Sequence, residues 1–303
     1  IDGIDFDVSI PRTEVYDGSN THNGVKTFGN PSLPLEADLS RRDCTCNAMA
    51  LDLDSFQFID PYDGKSDIKH KLIRFVGTPE DRIKEDPLRI VRAIQFSVRF
   101  NFSIEPDSSL AIYNHNHLLS NITSERILEE FNKAFLKNGK EDNHMFLNYI
   151  TNIPFFSSFF GMDLFPVRAT IIGDKVISNM VCLFAEGGDY NKLKVDNTTK
   201  SVIELVRRIK NEDVFEVMWK KEHLFKLVKD SILSLNNDLV PKINALTNIP
   251  LHPNQLAISS EELISIGYVG KDLGSIQKHL CKMVYERKIR NKKINILFYL
   301  SEE

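Results

Sequence analysis

The chain has 303 residues, 42% hydrophobic and 26% charged, and its 38 basic and 42 acidic side chains leave a formal charge of −4. That composition fits a globular chain of two or three domains and excludes both a disordered polypeptide and a uniformly basic nucleic-acid binder. No apolar run approaches the roughly 20 residues of a bilayer-spanning helix, and no secretory signal is visible. The four cysteines, Cys44, Cys46, Cys182 and Cys281, lack paired metal spacing, so a reduced, cytoplasmic setting is expected, with a mitochondrial one left open.

Residues 4–10 alternate Ile4, Phe6, Val8 and Ile10 with Asp5, Asp7 and Ser9, the period-2 pattern of a half-buried strand that Pro11 ends. The chain opens on this strand without Met, which reads as part of a longer protein. Residues 15–35, rich in Gly, Asn, Ser and Thr, predict a mobile loop, followed by a short helix from Leu35. Residues 49–59 predict a strand pair about Asp54 and Ser55, and Asp60-Pro61-Tyr62-Asp63-Gly64 a turn in which Gly64 permits positive φ. Residues 79–100 have helical spacing, with Pro87 near a first turn. Another helix opens at Ser124, capped by Thr123 or Ser124. Residues 137–235 hold further helix-length segments. Residues 236–254 are loop-rich and suggest a boundary, and a final segment ends in a basic helix near Arg290. No internal repeat is present.

Two segments carry chemistry: Arg41-Arg42-Asp43-Cys44-Thr45-Cys46-Asn47-Ala48 and Glu85-Asp86-Pro87-Leu88-Arg89 with Arg92. Cytosine and adenine each present an exocyclic amino donor beside a ring-nitrogen acceptor, whereas uracil and guanine present a carbonyl beside a ring N–H. One carboxylate with one guanidinium therefore accepts C and A. Asp86 and Arg89, three apart on an expected helix, share a face and can point at one base; the plain alternative is a helix start with an i,i+3 ion pair. Arg92 continues that face, and Arg42 suits a phosphate. Asp43 can accept a hydrogen bond from a ribose 2′-OH.

These segments resemble the class II tRNA nucleotidyltransferase and bacterial poly(A) polymerase family, the CCA-adding group. Similarity extends to Pro11-Arg12-Thr13-Glu14, to Asp60-Pro61 with Gly64, to Ile73-Arg74-Phe75-Val76-Gly77, to Ser124-Glu125-Arg126-Ile127 and, in the tail, to Gly267, Gly270 and Gly274 ahead of the basic helix. The resemblance implies an α+β fold: a partial nucleotidyltransferase head with a small mixed sheet (residues 1–57), a neck with the nucleotide-selecting helix (58–136), a helical body (137–235) and a tRNA-binding helical tail (236–303). It implies template-independent addition of C and A from CTP and ATP to the tRNA 3′ end, with Mg²⁺ as cofactor. Arg42, Asp43, Asp86, Arg89 and Arg92 then bind the nucleotide, Asp43 reading the ribose. Asp7 aligns with a supporting catalytic and metal-binding carboxylate, with Asp5 and Asp7 as a substitute pair the alternative. Lys278, Lys282, Arg287, Lys288 and Arg290 are the candidate tRNA contacts, against an ordinary solvated helix face.

Two departures from the family pattern stand out. Its Gly-rich phosphate motif and catalytic aspartate pair are expected upstream of Ile1, so the chain as given should be inactive. Gln95 stands where many relatives carry another arginine. Cys44 and Cys46 fit buried packing, and no His-Asp phosphohydrolase pattern accompanies the C-terminal half. The same motifs also serve poly(A) polymerases and A-only or CC-only enzymes, and a non-catalytic tRNA-binding protein is the reading from another class. The sequence leaves the oligomeric state open.

Overall fold

The structure, a computed structural model, describes residues 8–16, 25–139, 142–161, 171–235 and 238–302. Among these residues it is mostly helical, with three two-stranded sheets whose strands lie between residues 12 and 104. The chain divides into two compact units, Ile1–Val167 with Gly187–Val195, and Arg168–Glu186 with Asp196–Glu303.

The first unit begins with an antiparallel hairpin of β1 (Arg12–Tyr16) and β2 (Val25–Gly29), Arg12 opposite Gly29 and Tyr16 opposite Val25. β2 lies within the expected loop: Val25, Thr27 and Phe28 favour a pleated strand despite their Gly- and Asn-rich flanks. Of the expected strand at residues 4–10, residues 8–10 are irregular and exposed and the remainder, with Asp5 and Asp7, lies outside the described residues. Helix α1 (Leu35–Ser40) starts where expected, and β3 (Ala50–Leu51) pairs antiparallel with β4 (Phe58–Ile59) across the Asp54-Ser55 turn.

Asp60 accepts from the backbone N–H groups of Gly64 (2.7 Å) and Lys65 (2.9 Å) and so caps α2 (Gly64–His70). The positive φ of this turn belongs to Asp63, at 59°, and not to Gly64. Gly64 is required for another reason: a Cβ there would lie 2.3 Å from the Thr45 carbonyl oxygen.

The expected helix over residues 79–100 is two helices, α3 (Pro79–Glu85) and α4 (Arg89–Phe100). Pro79 suits the first turn of α3. Pro87 disfavours helical backbone at Asp86, which is extended at φ −146° and ψ 98°. Parallel strands β5 (Leu72–Ile73) and β6 (Ser103–Ile104) flank these helices in sequence. Ile83, Ile90, Val91 and Ile94 are buried, which seats both helices in the core.

Helices α5 (Pro106–His115), α6 (Ser124–Lys137), α7 (Asp142–Thr151) and α8 (Pro154–Phe160) complete this unit. Thr123 occupies the N-cap position of α6 without a side-chain cap bond. Phe131 of α6 meets Phe146 of α7 edge-to-face at 5.6 Å.

The second unit comprises α9 (Lys175–Phe184), α10 (Asn197–Asn211), α11 (Val214–Met218), α12 (Glu222–Leu235), α13 (Leu239–Ala245), α14 (Ser260–Ser265), α15 (Gly270–Tyr285) and α16 (Lys293–Glu302). Asp174, Asp196 and Asp213 cap α9, α10 and α11 through backbone N–H groups three residues on. A helix, α13, occupies part of the expected loop: its apolar Leu239 and Ile243, four apart, are buried despite Pro241 near its start. Among the described residues no helix is long and apolar enough to cross a membrane, and the four cysteines are free, Cys46 half-buried and the other three buried.

Candidate functional site

The Arg41-Arg42-Asp43 segment follows α1 and is held by backbone pairing with the strand-like residues 74–76. Thr45 N–H donates to Arg74 O at 3.0 Å and Val76 N–H to Asp43 O at 3.3 Å. Thr45 Oγ1 also donates to Asp67 Oδ2 at 2.5 Å, and Arg74 donates to the same oxygen through Nε at 2.9 Å and to Tyr62 O through Nη2 at 2.9 Å. This triad, with Thr45 and Asp67 buried and Arg74 half-buried, joins the segment to α2. Both flanking arginines are drawn to Asp38: Arg41 Nη2 lies 2.7 Å away, Arg42 Nη2 3.3 Å, and the Arg42 side chain stays 45% exposed.

Asp43 faces α4. Its Oδ1 accepts from Arg89 Nε at 3.0 Å, and Arg92 Nη1 donates to both carboxylate oxygens at 3.0 Å. Burial pushes the Asp43 carboxyl up, but the Arg92 and Arg89 guanidinium groups outweigh it and hold the group below its ordinary value. Arg92 Nη2 donates to Asp86 Oδ2 at 2.6 Å, and Arg126 Nη2 lies 3.3 Å from Asp86 Oδ1. The result is a continuous chain of charge: Arg89, Asp43, Arg92, Asp86, Arg126.

The shared helical face expected for Asp86 and Arg89 does not form, because Pro87 breaks the helix between them. Arg89 is only 1% exposed and turns inward. It also donates through Nη1 to Arg82 O at 2.9 Å and Glu85 Oε2 at 2.7 Å, and through Nη2 to Arg41 O at 3.0 Å. Asp86, 6% exposed, instead finds Arg92 beside it. Burial lowers the pKa of Arg92, and the carboxylates of Asp43, Asp86 and Glu130 raise it above the ordinary value, so this guanidinium stays charged. Its Nε has no hydrogen-bond partner among the described residues; Glu130 Oε1 is 3.5 Å away. Asp86 and Arg92 set a carboxylate acceptor beside a guanidinium donor, the pair of groups that a cytosine or adenine edge needs. Gln95, next on α4, is also buried, and its Nε2 has no hydrogen-bond partner among the described residues.

Two family models match the chain: the poly A polymerase head domain over residues 2–74, and the probable RNA and SrmB-binding site of polymerase A over residues 101–140. The CCA-adding enzyme of Staphylococcus saprophyticus is 32% identical over 273 residues, 85% of this chain and 65% of that protein. The CCA-adding enzyme of Pediococcus pentosaceus is 42% identical over 140 residues, 45% of this chain and 33% of that protein. The chain belongs to the class II CCA-adding enzyme and poly(A) polymerase family.

It spans less than two thirds of the length of these curated relatives. The fold is also that of solved family members. The CCA-adding enzyme of Bacillus stearothermophilus in complex with CTP superposes with a TM-score of 0.64 at 21% identity, over 93% of this chain and 76% of that one. The Thermotoga maritima CCA-adding enzyme complexed with tRNA gives 0.57 at 21% identity, over 88% and 74%.

Of the remaining candidates, Asp7 lies outside the described residues. No group of three or more His, Cys, Asp or Glu side chains placed to hold a metal ion occurs among the described residues. In the second unit Lys278 and Lys282 sit on α15, with Glu216 of α11 between them at 2.6 and 3.2 Å. Lys288 pairs with Glu286 at 2.7 Å, and Arg287, Lys288 and Arg290 are exposed beyond the helix.

Sequence reasoning missed the supporting groups. Arg126 holds Asp86, and Asp67 with Thr45 anchors the Arg-Arg-Asp segment. A signal for the first was present: Arg126 and Glu130, four apart, place two charges on one face of α6 where Asp86 and Arg92 need partners.

Proposed function

We propose that this chain is the nucleotide-selecting part of an enzyme that adds C and A, without a nucleic-acid template, to the 3′ end of tRNA. The observation that carries the reading is the Asp86–Arg92 pair, a carboxylate and a guanidinium 2.6 Å apart. Asp86 accepts from the exocyclic amino group of cytosine or adenine, and Arg92 donates to the adjacent ring nitrogen. Uracil and guanine reverse both polarities and leave buried groups unpaired, which costs more than the lost bond itself.

Asp43 uses its spare acceptor capacity for the ribose. A carboxylate offers about four lone-pair sites, and the two arginines use three of them. A 2′-OH fits the remainder. Arg89 holds Asp43 from behind, and exposed Arg42 reaches the triphosphate. The charged ends of Lys278, Lys282, Arg287, Lys288 and Arg290 contact tRNA phosphates. Mg²⁺ accompanies the triphosphate in this reading, and Asp7 is its proposed ligand and catalytic carboxylate.

The experiment supplies labelled CTP and ATP, separately and together, to tRNA lacking its 3′ end, with Mg²⁺. Addition of C and then A that stops at a fixed length supports the reading. Open-ended addition from ATP alone makes the chain a poly(A) polymerase, and tRNA binding with no incorporation, by this chain and by an upstream-extended form alike, makes it a binding protein.

A further inference from the structure

Helix α4 has buried positions throughout except four: Arg92, Phe96, Arg99 and Phe100. Their spacing of four, seven and eight residues puts them on one stripe. From Arg92, which pairs with Asp86, the stripe runs about 12 Å along the helix at 1.5 Å per residue.

The stripe is aromatic and basic. The rings of Phe96 and Phe100 stack at 6.1 Å with an interplanar angle of 17°, Phe102 adds a third ring 5.9 Å from Phe100, and the Arg99 guanidinium lies 5.3 Å from the Phe100 centroid. Phe100 is 43% exposed, far more than core packing requires. Just beyond Phe102, Ser103 N–H donates to Lys71 O at 2.9 Å, which brings the end of α2 alongside. Lys69, His70 and Lys71 are exposed there, whereas Asp67, the one acid of α2, is buried against Thr45 and Arg74.

From this juxtaposition we infer that the outer face of α4 is a stacking platform for the single-stranded 3′ end of the RNA. Aromatic faces accept any base, and Arg99 with the end of α2 neutralises the backbone. At about 3.4 Å per stacked nucleotide the stripe accommodates about three. This inference rests on the proposed function, since it places the growing end next to the nucleotide that Asp86 and Arg92 select. An apolar protein segment fits less well, because Arg99 lies against the Phe100 ring and Lys69 and Lys71 are exposed at the end of α2.

The test measures, with the 303-residue chain, the fluorescence anisotropy of a 5′-labelled single-stranded RNA ending in cytidines and of the same RNA in a blunt duplex. Phe100→Ala is expected to weaken single-strand binding about fivefold or more while sparing the duplex. Arg99→Gln, at an exposed position, is expected to lower the salt slope by about 0.7. Wild-type failure to bind the single strand, unchanged affinity and slope in both variants, or equal losses on the duplex would overturn the platform. CTP binding by Arg92→Ala is measured in parallel. Loss of CTP binding with the RNA unaffected by Phe100→Ala overturns the platform alone. Retained CTP binding with weakened RNA overturns the nucleotide reading and leaves the platform standing.

Discussion

Truncating Arg89 to Ala should unfold the first unit at a markedly lower temperature. The side chain is 1% exposed and donates to Asp43, Glu85 and the carbonyls of Arg41 and Arg82, all within 3.0 Å. Its loss leaves two carbonyl oxygens without this donor and opens a cavity at the start of α4. Asp43 keeps Arg92 and Glu85 keeps Arg82, so the carboxylates are not stranded, and the cost falls near the lower end for a broken buried charge network, about 3 kcal/mol. At about 2–4 °C per kcal/mol for a unit of this size, melting should fall by about 10 °C. Arg42→Ala is the control: its guanidinium is half in solvent with one partner at 3.3 Å, and its cost should stay below about 1 kcal/mol. Circular dichroism melting of both variants decides the matter. An Arg89→Ala shift no larger than that of Arg42→Ala refutes the argument that Arg89 is a structural member of the site.

Asp43 is held below its ordinary value of 3.8 because Arg92 and Arg89 outweigh the effect of burial. Its contribution to stability is thus complete above about pH 4 and is lost as the pH falls through the lower folded value. Asp43→Asn should melt below wild type at pH 7, and the gap should close below pH 4. In Gly64→Ala the new methyl meets the backbone of Thr45 at 2.3 Å; urea titration should show a loss of about 1–3 kcal/mol. Glu216→Gln frees Lys278 and Lys282 from their shared carboxylate. tRNA binding measured against salt should then strengthen and steepen, the slope growing by up to about 1.8 if both lysines reach phosphates.

What the sequence disclosed followed local chemistry. The hairpin about Asp54, helix α1 and the basic helix α15 came from periodicity and turn residues, which act over a few positions. The charged residues of the site were legible as a set because the Arg-Arg-Asp and Glu-Asp-Pro-Leu-Arg segments are rich in groups that nucleotides require. Their pairing was not legible. Pro87, expected near a first turn of one long helix, splits that helix into two and exchanges the partners, so that Asp86 meets Arg92 while Arg89 turns inward to Asp43. The supports are long-range: Arg126 is 40 residues from Asp86, and Thr45 is 22 from Asp67. A short-range pattern marks at most one side of such a contact, as the Arg126 and Glu130 spacing does on α6, and does not name the partner. Strand β2 was hidden for the opposite reason, since its three strand-forming residues, Val25, Thr27 and Phe28, sit among turn formers.

The most direct test of nucleotide selection at Asp86 and Arg92 is calorimetric binding of CTP, ATP, UTP and GTP to wild type and to Asp86→Asn. The account predicts that wild type prefers CTP and ATP and that the variant, with its acceptor replaced by an amide, loses that preference while remaining folded. Equal binding of all four nucleotides by wild type, or an undiminished preference in Asp86→Asn, would contradict it.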